Sequence, residues 1–360
     1  MREARGADPL STKEINPEHH PFSLHVPVML DEIRALASSV QQMRLSIDCT
    51  LGAGGHAEAL LAAYPELRCI GIDADPEACA RSSSRLSSYS DRLAVVNSYY
   101  DDALAALSAE GEEGAARILG ENAARFLDTK GKIRASFILF DLGISTYQLT
   151  ASGRGFSFAS DEPLDMRFSP QASLSAADIV AQYPEQRLAD LIYTYGEERY
   201  SRRIARAIVA ARRKERIHSA ARLAEIIAEA VPVEYRHGRL HPATRTFQAL
   251  RIAVNDELGR AERAIRSAID LLERDGICAV ISFHSLEDRI VKHIFAEMAR
   301  GEQCSLEWKK PKEPTEEEIR RKPPSRSAKL PAIRARSKPV RHSGKRRDDE
   351  NDARFSEAGA

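Results

Sequence analysis

The sequence predicts a doubly wound α/β domain interrupted by an all-helical insertion. Two apolar runs, 45–49 and 68–72, lie next to the acids Asp48 and Asp73 and flank the glycine loop Leu51-Gly-Ala-Gly-Gly-His56. This is the strand–loop–helix–strand layout of a nucleotide-type cofactor half. Two later runs, 137–141 and 277–283, are continuously apolar, as strands buried on both faces must be. Between them, over 149–239, no strand pattern occurs and the apolar spacing is helical.

The elements follow in order. Residues 1–22 are polar and broken by prolines, so a flexible lead-in is expected. Pro27 biases Val26 toward extended backbone, and Asp31 is predicted to cap a helix reaching Leu36. After strands 45–49 and 68–72 a third is expected at 93–96. Residues 101–131, rich in Ala and Glu, read as one or two exposed helices. Helices are predicted at 176–180, 185–194, 198–214 and 220–230, then a single long one over 246–272. Ser285 is expected to cap the last sheet helix, with Asp288 in the capping-box position. The domain organisation is therefore lead-in 1–22, sheet domain 23–148, helical insert 149–240, sheet domain resumed 241–310, and a tail 311–360.

Gly52, Gly54 and Gly55 let the backbone turn tightly and approach a ligand. Asp73 stands about twenty residues on, where such folds place a carboxylate on a ribose diol. The spacing is not G-x-G-x-x-G, and Asp48 would repel a pyrophosphate beside the loop. It suits a cationic group instead, such as the amino group of S-adenosylmethionine. The methyl donor is favoured over a dinucleotide, which stays open on this segment alone. Ligands in open parallel sheets bind beyond the carboxyl ends of strands, and Asp48, Asp73, Asp141 and the segment 282–285 all fall there.

The loop Asp141-Leu-Gly-Ile-Ser-Thr-Tyr-Gln148 leads into Ser152-Gly-Arg-Gly-Phe-Ser-Phe158. Arg154, Phe156 and Phe158 suit a splayed nucleobase. Taken singly, each phenylalanine is better explained as an anchor for the loop. The predicted helix 198–214 carries Arg202, Arg203 and Arg206 near one face with few acids around them, which favours phosphate contact over a merely solvated face. His241, Arg245 and Gln248 lie where the chain returns to the sheet.

The chain has 360 residues with 53 Lys or Arg against 53 Asp or Glu, so any polyanion must be met by a local patch rather than by net charge. One patch is obvious: between Arg320 and Arg347 there are twelve basic residues and no acid. With several prolines and few large apolar residues, 311–360 is expected to be a mobile basic tail. The five scattered cysteines form no C-x-x-C pair and read as small core residues in a reducing compartment. No apolar run could span a bilayer, so a cytoplasmic location is expected, with no membrane partner.

These strings together resemble the bacterial 16S ribosomal RNA cytosine-N4 methyltransferases known as RsmH or MraW. The resemblance runs from about His25 to Phe295. It rests on Gly52-Ala-Gly-Gly-His56, Asp141-Leu-Gly-Ile-Ser145, Arg154-Gly-Phe-Ser-Phe158, Pro163-Leu-Asp-Met-Arg167, Tyr195-Gly-Glu-Glu-Arg199, His241-Pro-Ala-Thr-Arg-Thr-Phe-Gln248 and Ser282-Phe-His-Ser-Leu-Glu-Asp-Arg289. It implies a Rossmann-like class I S-adenosylmethionine-dependent methyltransferase with an inserted helical domain. The implied substrate is the exocyclic amine of a cytidine in the decoding region of 16S rRNA, within the small subunit or a late assembly intermediate. By position, Gly54, Gly55, His56, Asp73, Tyr100, Asp141 and Gln148 would hold the donor. Tyr100 replaces a common Phe, and Thr146-Tyr147 replaces a usual Ser-Pro. A homodimer is left open, and no metal is expected.

For the chemistry, Asp141 and the carbonyls after it are the first choice to align the amine, with His284 as candidate proton acceptor. Asp141-Leu-Gly-Ile departs from the Asn/Asp-Pro-Pro-aromatic motif of many DNA amino-methyltransferases. Two rival readings are a nicotinamide-dependent oxidoreductase and a non-enzymatic RNA-binding assembly factor.

Overall fold

The computed structural model describes residues 27–109, 111–159 and 161–336; the expected lead-in 1–22 and the stretch 337–360 lie outside the described residues. The apolar runs become β1 (Leu45–Asp48), β2 (Arg68–Asp73), β3 (Leu93–Asn97), β4 (Ala135–Asp141) and β5 (Leu272–Ile281), all parallel. Two further strands, β6 (Cys304–Leu306) and β7 (Ala332–Ala335), complete a seven-stranded sheet in the order β3-β2-β1-β4-β5-β7-β6. β7 runs antiparallel to both its neighbours. The order reverses between β1 and β4, which opens a crevice beyond their carboxyl ends.

Helices α1 (Leu30–Ser38), α2 (Gly55–Ala63), α3 (Pro76–Arg85), α4 (Tyr100–Ala109) and α5 (Gly111–Leu119) belong to the first half. After β4 come α6 (Thr146–Thr150), α7 (Ala176–Gln182), α8 (Glu185–Gly196), α9 (Ser201–Arg212), α10 (Ala220–Ala230), α11 (Val233–Arg236), α12 (Thr244–Asn255) and α13 (Glu257–Leu271). α14 (Ser285–Arg300) follows β5, and α15 (Glu316–Arg321) precedes β7.

Period-two alternation feeds both faces of the sheet. Ile138 and Phe140 of β4 pack with Leu104, Ile265 and Phe295, whereas Phe137 and Leu139 pack with Ile33 and Leu36 of α1. A third core is purely helical and joins Ile179, Leu188, Ile192, Ile204, Ile208, Leu223 and Ile227.

Several sequence expectations shift. Asp31 does not cap α1; it lies in the first turn, and Met29 takes the cap position in a left-handed conformation (φ 54°). The helix expected over 246–272 is two helices, broken at Asp256 (φ 49°). The break is fixed from outside the helix: Asn255 donates to the Met166 carbonyl (2.8 Å) and accepts from the Phe168 amide (2.8 Å). α12 therefore joins the helical core through Phe247 and Leu250, while α13 covers the sheet. α9 starts at Ser201 because Glu198, fully buried, is occupied by the Tyr200 amide and the Tyr235 hydroxyl. The cap of α14 is His284 with Glu287 in the box, one residue ahead of the Ser285 and Asp288 expected.

The largest correction concerns the tail. Residues 311–336 are not a free arm. β7 pairs Cys278 with Ile333 and is inserted between β5 and β6. Leu330 and Ile333 are fully buried. Glu318 accepts from the Met29 amide (2.8 Å), and Lys322 donates to the Pro27 carbonyl (2.7 Å), so the segment also anchors the start of the described chain. Composition misleads here because a four-residue strand needs only two or three inward apolar side chains; the surrounding basic residues stay at the surface. Ile333→Ala should cost about 2–5 kcal/mol of stability, read as a lower urea midpoint. Truncation after Trp308 should abolish cooperative unfolding.

Candidate active site

The carboxyl ends of β1, β2 and β4 bring three acids to one edge, as the spacing predicted. The loop after β1 turns through Gly52 and Gly54, both at positive φ. Gly54 has φ 78°, a conformation that favours glycine, and a Cβ there would also press on the Leu86 side chain just after α3. Gly55 is the first residue of α2.

Asp73 organises this loop. One carboxylate oxygen accepts from the Gly52 amide (2.8 Å) and the other from the Asp75 amide (2.9 Å). Burial still pushes its carboxyl up to about 6, against those two hydrogen bonds. Asp48 is buried at the end of β1, and burial likewise raises it to about 6, against the pull of His56. Its one hydrogen bond is from the Thr50 amide (3.2 Å). Asp141 is about a quarter exposed, its Oδ2 is 3.6 Å from His56 Nε2, and its Oδ1 has no hydrogen-bond partner. Neither ring nitrogen of His56 has one either, although the side chain is only 5 % exposed. Thr50 Oγ1 accepts from the Asp141 amide (2.6 Å) and ties the two strand ends together.

The edge thus gathers buried carboxylates short of cations and unpartnered polar atoms. Such a site favours a positively charged ligand and opposes a pyrophosphate.

Gln148 caps α6 together with Ser145, and its amide nitrogen reaches Asp75 Oδ2 at 3.5 Å. Asp75 itself was missed from the sequence. It is fully buried, caps α3 through the Glu77 amide, and forms an ion pair with Arg154. The rest of the Arg154 guanidinium donates to the carbonyls of Arg167 (3.1 Å) and Phe168 (2.9 Å). Arg154 is therefore an internal tie, not a group presented to RNA. Phe156 is buried and stacks on Phe168 (5.8 Å between centroids), so its role is that of an anchor. Phe158 stacks on His241 at 4.4 Å and remains partly accessible.

Tyr100 packs edge-on against Phe140 (5.7 Å). Burial, then the nearby Glu257 carboxylate, holds its hydroxyl well above the usual tyrosine range. The ring belongs to the sheet core, whereas its neighbour Tyr99 is covered by the Arg260 guanidinium at 3.7 Å.

His284 has a structural task. Its Nδ1 accepts from the Glu287 amide (3.3 Å), and its Nε2 lies 3.2 Å from Glu287 Oε1. With Nδ1 occupied, the imidazole offers no free lone pair to a substrate proton, and the proton-acceptor expectation loses its support. Glu257, His284 and Glu287 converge closely enough to hold a cation. The Arg251 guanidinium already fills that role, bound to both Glu257 oxygens at 2.8 and 3.0 Å.

Glu197, also missed, joins the helical part to the start of α14. It accepts from Ser285 (2.6 Å), lies 3.2 Å from Arg289, and its carbonyl accepts from Arg245 (2.9 Å). At the preceding Gly196 a Cβ would lie 2.5 Å from the Arg245 carbonyl oxygen, so α8 and α12 can touch backbone to backbone only because it is glycine. Arg202 and Arg203 are exposed with no carboxylate within 4.0 Å among the described residues; exposed Arg206 is 3.5 Å from Glu185.

A family model described as the MraW methylase family matches residues 22–336. The chain belongs to the MraW methylase family. Proteins named ribosomal RNA small subunit methyltransferase H are similar over most of its length. That of Treponema denticola is 43% identical over 328 residues, 86% of this chain and 97% of the relative. That of Persephonella marina is 43% identical over 306 residues, covering 85% and 97%. That of Thermobifida fusca is 39% identical over 341 residues, covering 90% and 97%.

Membership makes the chain a methylase with an α/β, Rossmann-like sheet, and its methyl donor is S-adenosylmethionine. The oxidoreductase and the non-enzymatic alternatives fall. The residues at the edge fit that donor: the glycine loop leaves room for close approach, and Asp48, Asp73 and Asp141 supply the negative charge that a sulfonium and an ammonium require.

The raised carboxyls set a pH dependence. Asp48 and Asp73 bind protons more readily folded than unfolded, so each contributes stability below about pH 4 that is lost as pH rises through about 6. From 3.8 to about 6 is roughly 3 kcal/mol for each. Ligand-free Asp48→Asn should melt above wild type near neutral pH, and the gap should close at about pH 4. Adding the donor should raise the wild-type melting temperature more than the variant's.

Proposed function

We propose that this chain methylates the exocyclic N4 amine of a cytidine in the decoding region of small-subunit 16S rRNA, in the cytoplasm. The observation that carries the reading is Asp141: a carboxylate about a quarter exposed, beside the glycine loop and at the sheet's switch point, whose inner oxygen Oδ1 is buried without a partner. The small-subunit rRNA named for the relatives supports the substrate class.

The bound donor supplies a methyl group on a sulfonium, an activated leaving group. The protein's task is then to orient the acceptor, because the cytosine amine shares its lone pair with the ring. The partly exposed carboxylate of Asp141 can accept a hydrogen bond from that amine and hold its plane. The Asp141 carboxylate offsets the positive charge that the amine gains on methylation and can take the proton it then sheds, to pass it to solvent, while His56 lies 3.6 Å from its Oδ2. Asp48 holds the cationic end of the donor, and Asp73 accepts from its ribose while fixing the Gly52 amide. Gln148 acts at one remove, by fixing Asp75.

The segment 149–240 is read as the substrate-recognition part. Phe158, stacked on His241, remains a candidate for base contact, and Arg202, Arg203 and Arg206 are candidate phosphate contacts. The substrate state is taken to be a small subunit or late assembly intermediate.

The test uses purified protein, small subunits lacking the modification and donor labelled in the methyl group. Label should map to one cytidine N4 of the decoding region; label elsewhere in the RNA would overturn the assignment. Asp141→Ala should lower methyl transfer at least about a hundredfold while subunit binding persists. Asp73→Ala should weaken donor binding about ten- to hundredfold, measured by calorimetry on the folded variant.

A further inference from the structure

The edge of the sheet opposite the active site holds a cavity of about 540 Å³ lined by Arg44, Arg68, Arg125, Arg134 and Arg274. Four of these stand at the amino ends of adjacent strands. Arg68 opens β2, Arg44 precedes β1, Arg134 precedes β4, and Arg274 lies near the start of β5. Neighbouring strands are about 4.8 Å apart, so the row spans roughly 14 Å. Arg125 comes from the helical turn before β4.

A plain structural role accounts for part of this. Helix C-termini gather at this edge and carry partial negative charge. Arg134 donates to the carbonyl of Asp270 near the end of α13 (2.7 Å), and Arg68 donates to the carbonyl of Arg125. Both are cations satisfied by carbonyl dipoles, which leaves their charge uncancelled. Arg44 meets only the Gln42 amide oxygen, and Arg125 has no ion-pair partner among the described residues. Of the five, only Arg274 lies within 4.0 Å of a carboxylate, Asp275 at 3.5 Å.

Two acids line the cavity, and both are turned to local tasks. Asp128 accepts from the Lys130 and Lys132 amides (2.8 and 2.9 Å), and Glu273 accepts from Ser136 (2.6 Å). Five arginines against two acids leave a lining charge of +3 in a chain whose net charge is zero.

We propose that this arginine row binds RNA phosphates, as a second contact on the face away from the methyl-transfer site. The inference rests on the rRNA reading given above. The row is too long for one inorganic phosphate to satisfy, which favours a polyanion. No exposed aromatic ring lines it, since Phe126 is buried. The contact is therefore to backbone and independent of sequence. β4 separates the two edges by seven residues, roughly 20 Å, so one RNA strand cannot lie in both places without wrapping the domain. The row thus fits a different segment of a large folded RNA, and a short oligonucleotide carrying the target cytidine would not reach it.

The test compares wild type with Arg44→Gln, Arg125→Gln and Arg274→Gln combined, three side chains that cap no helix. Binding to unmodified small subunits is measured from low to moderate salt. The triple variant should bind about tenfold more weakly at low salt, with a log–log salt slope shallower by about 2. Donor affinity, and methylation of a short target oligonucleotide where wild type shows any, should not change. If the triple variant loses thermal stability, the single Arg125→Glu replaces it and should weaken subunit binding more than Arg125→Gln. An unchanged slope overturns the proposal even if wild type methylates subunits normally. Wild type that neither binds nor methylates subunits overturns the rRNA reading and this contact with it. Inorganic tripolyphosphate provides the last arm. If it binds wild type but not the variant without competing with subunits, a small phosphate ligand occupies the cavity and the RNA contact is wrong.

Discussion

The ion pair between Asp75 and Arg154 couples the donor edge to the helical part of the molecule. Asp75 is fully buried at the end of β2, where it caps α3 and positions the Asp73 carboxylate through its own amide. Arg154 is fixed at the same time by the carbonyls of Arg167 and Phe168. Those residues adjoin Asn255, which sets the break between α12 and α13. A buried ion pair of this kind adds little net stability relative to an apolar pair, but losing one partner leaves a stranded charge. Its consequence is registry: the loop after β4, the start of α3 and the helical core can assemble in only one relative position.

The acids at the strand ends carry the opposite logic. Asp48 is buried and Asp73 half-buried, neither in an ion pair among the described residues, and desolvation pushes both toward the neutral form. A positively charged ligand at this edge would stabilise their ionised form. Asp141 is about a quarter exposed, and its buried Oδ1 is left without a partner.

The far edge of the sheet depends on chain that composition assigns to a tail. β7 covers β5, and without it the Ile277–Ala279 stretch would expose an unpaired edge. The same segment holds Met29 and Pro27. The start of the described chain is therefore held by α15 and Lys322 just after it.

What the sequence determined by itself was local and periodic. The strands next to acids, the glycine loop, Asp48, Asp73 and Asp141, and the existence of a helical insertion all follow from patterns a few residues long. Motif strings in the right order then pointed to the family. What only the tertiary structure decided depends on partners distant in sequence. Arg154 reads as an RNA contact until Asp75, 79 residues away, is seen to hold it. His284 is the exception: it reads as a base until its local capping box is seen, in which the Glu287 amide three residues on occupies its Nδ1 lone pair. The helix over 246–272 breaks because Asn255 is claimed by Met166 and Phe168. The basic tail becomes a strand because β5 and β6 offer it hydrogen bonds. The physical reason is common to the other three. A side chain's type sets what it can bond to, but which bond forms depends on which distant partner packing delivers.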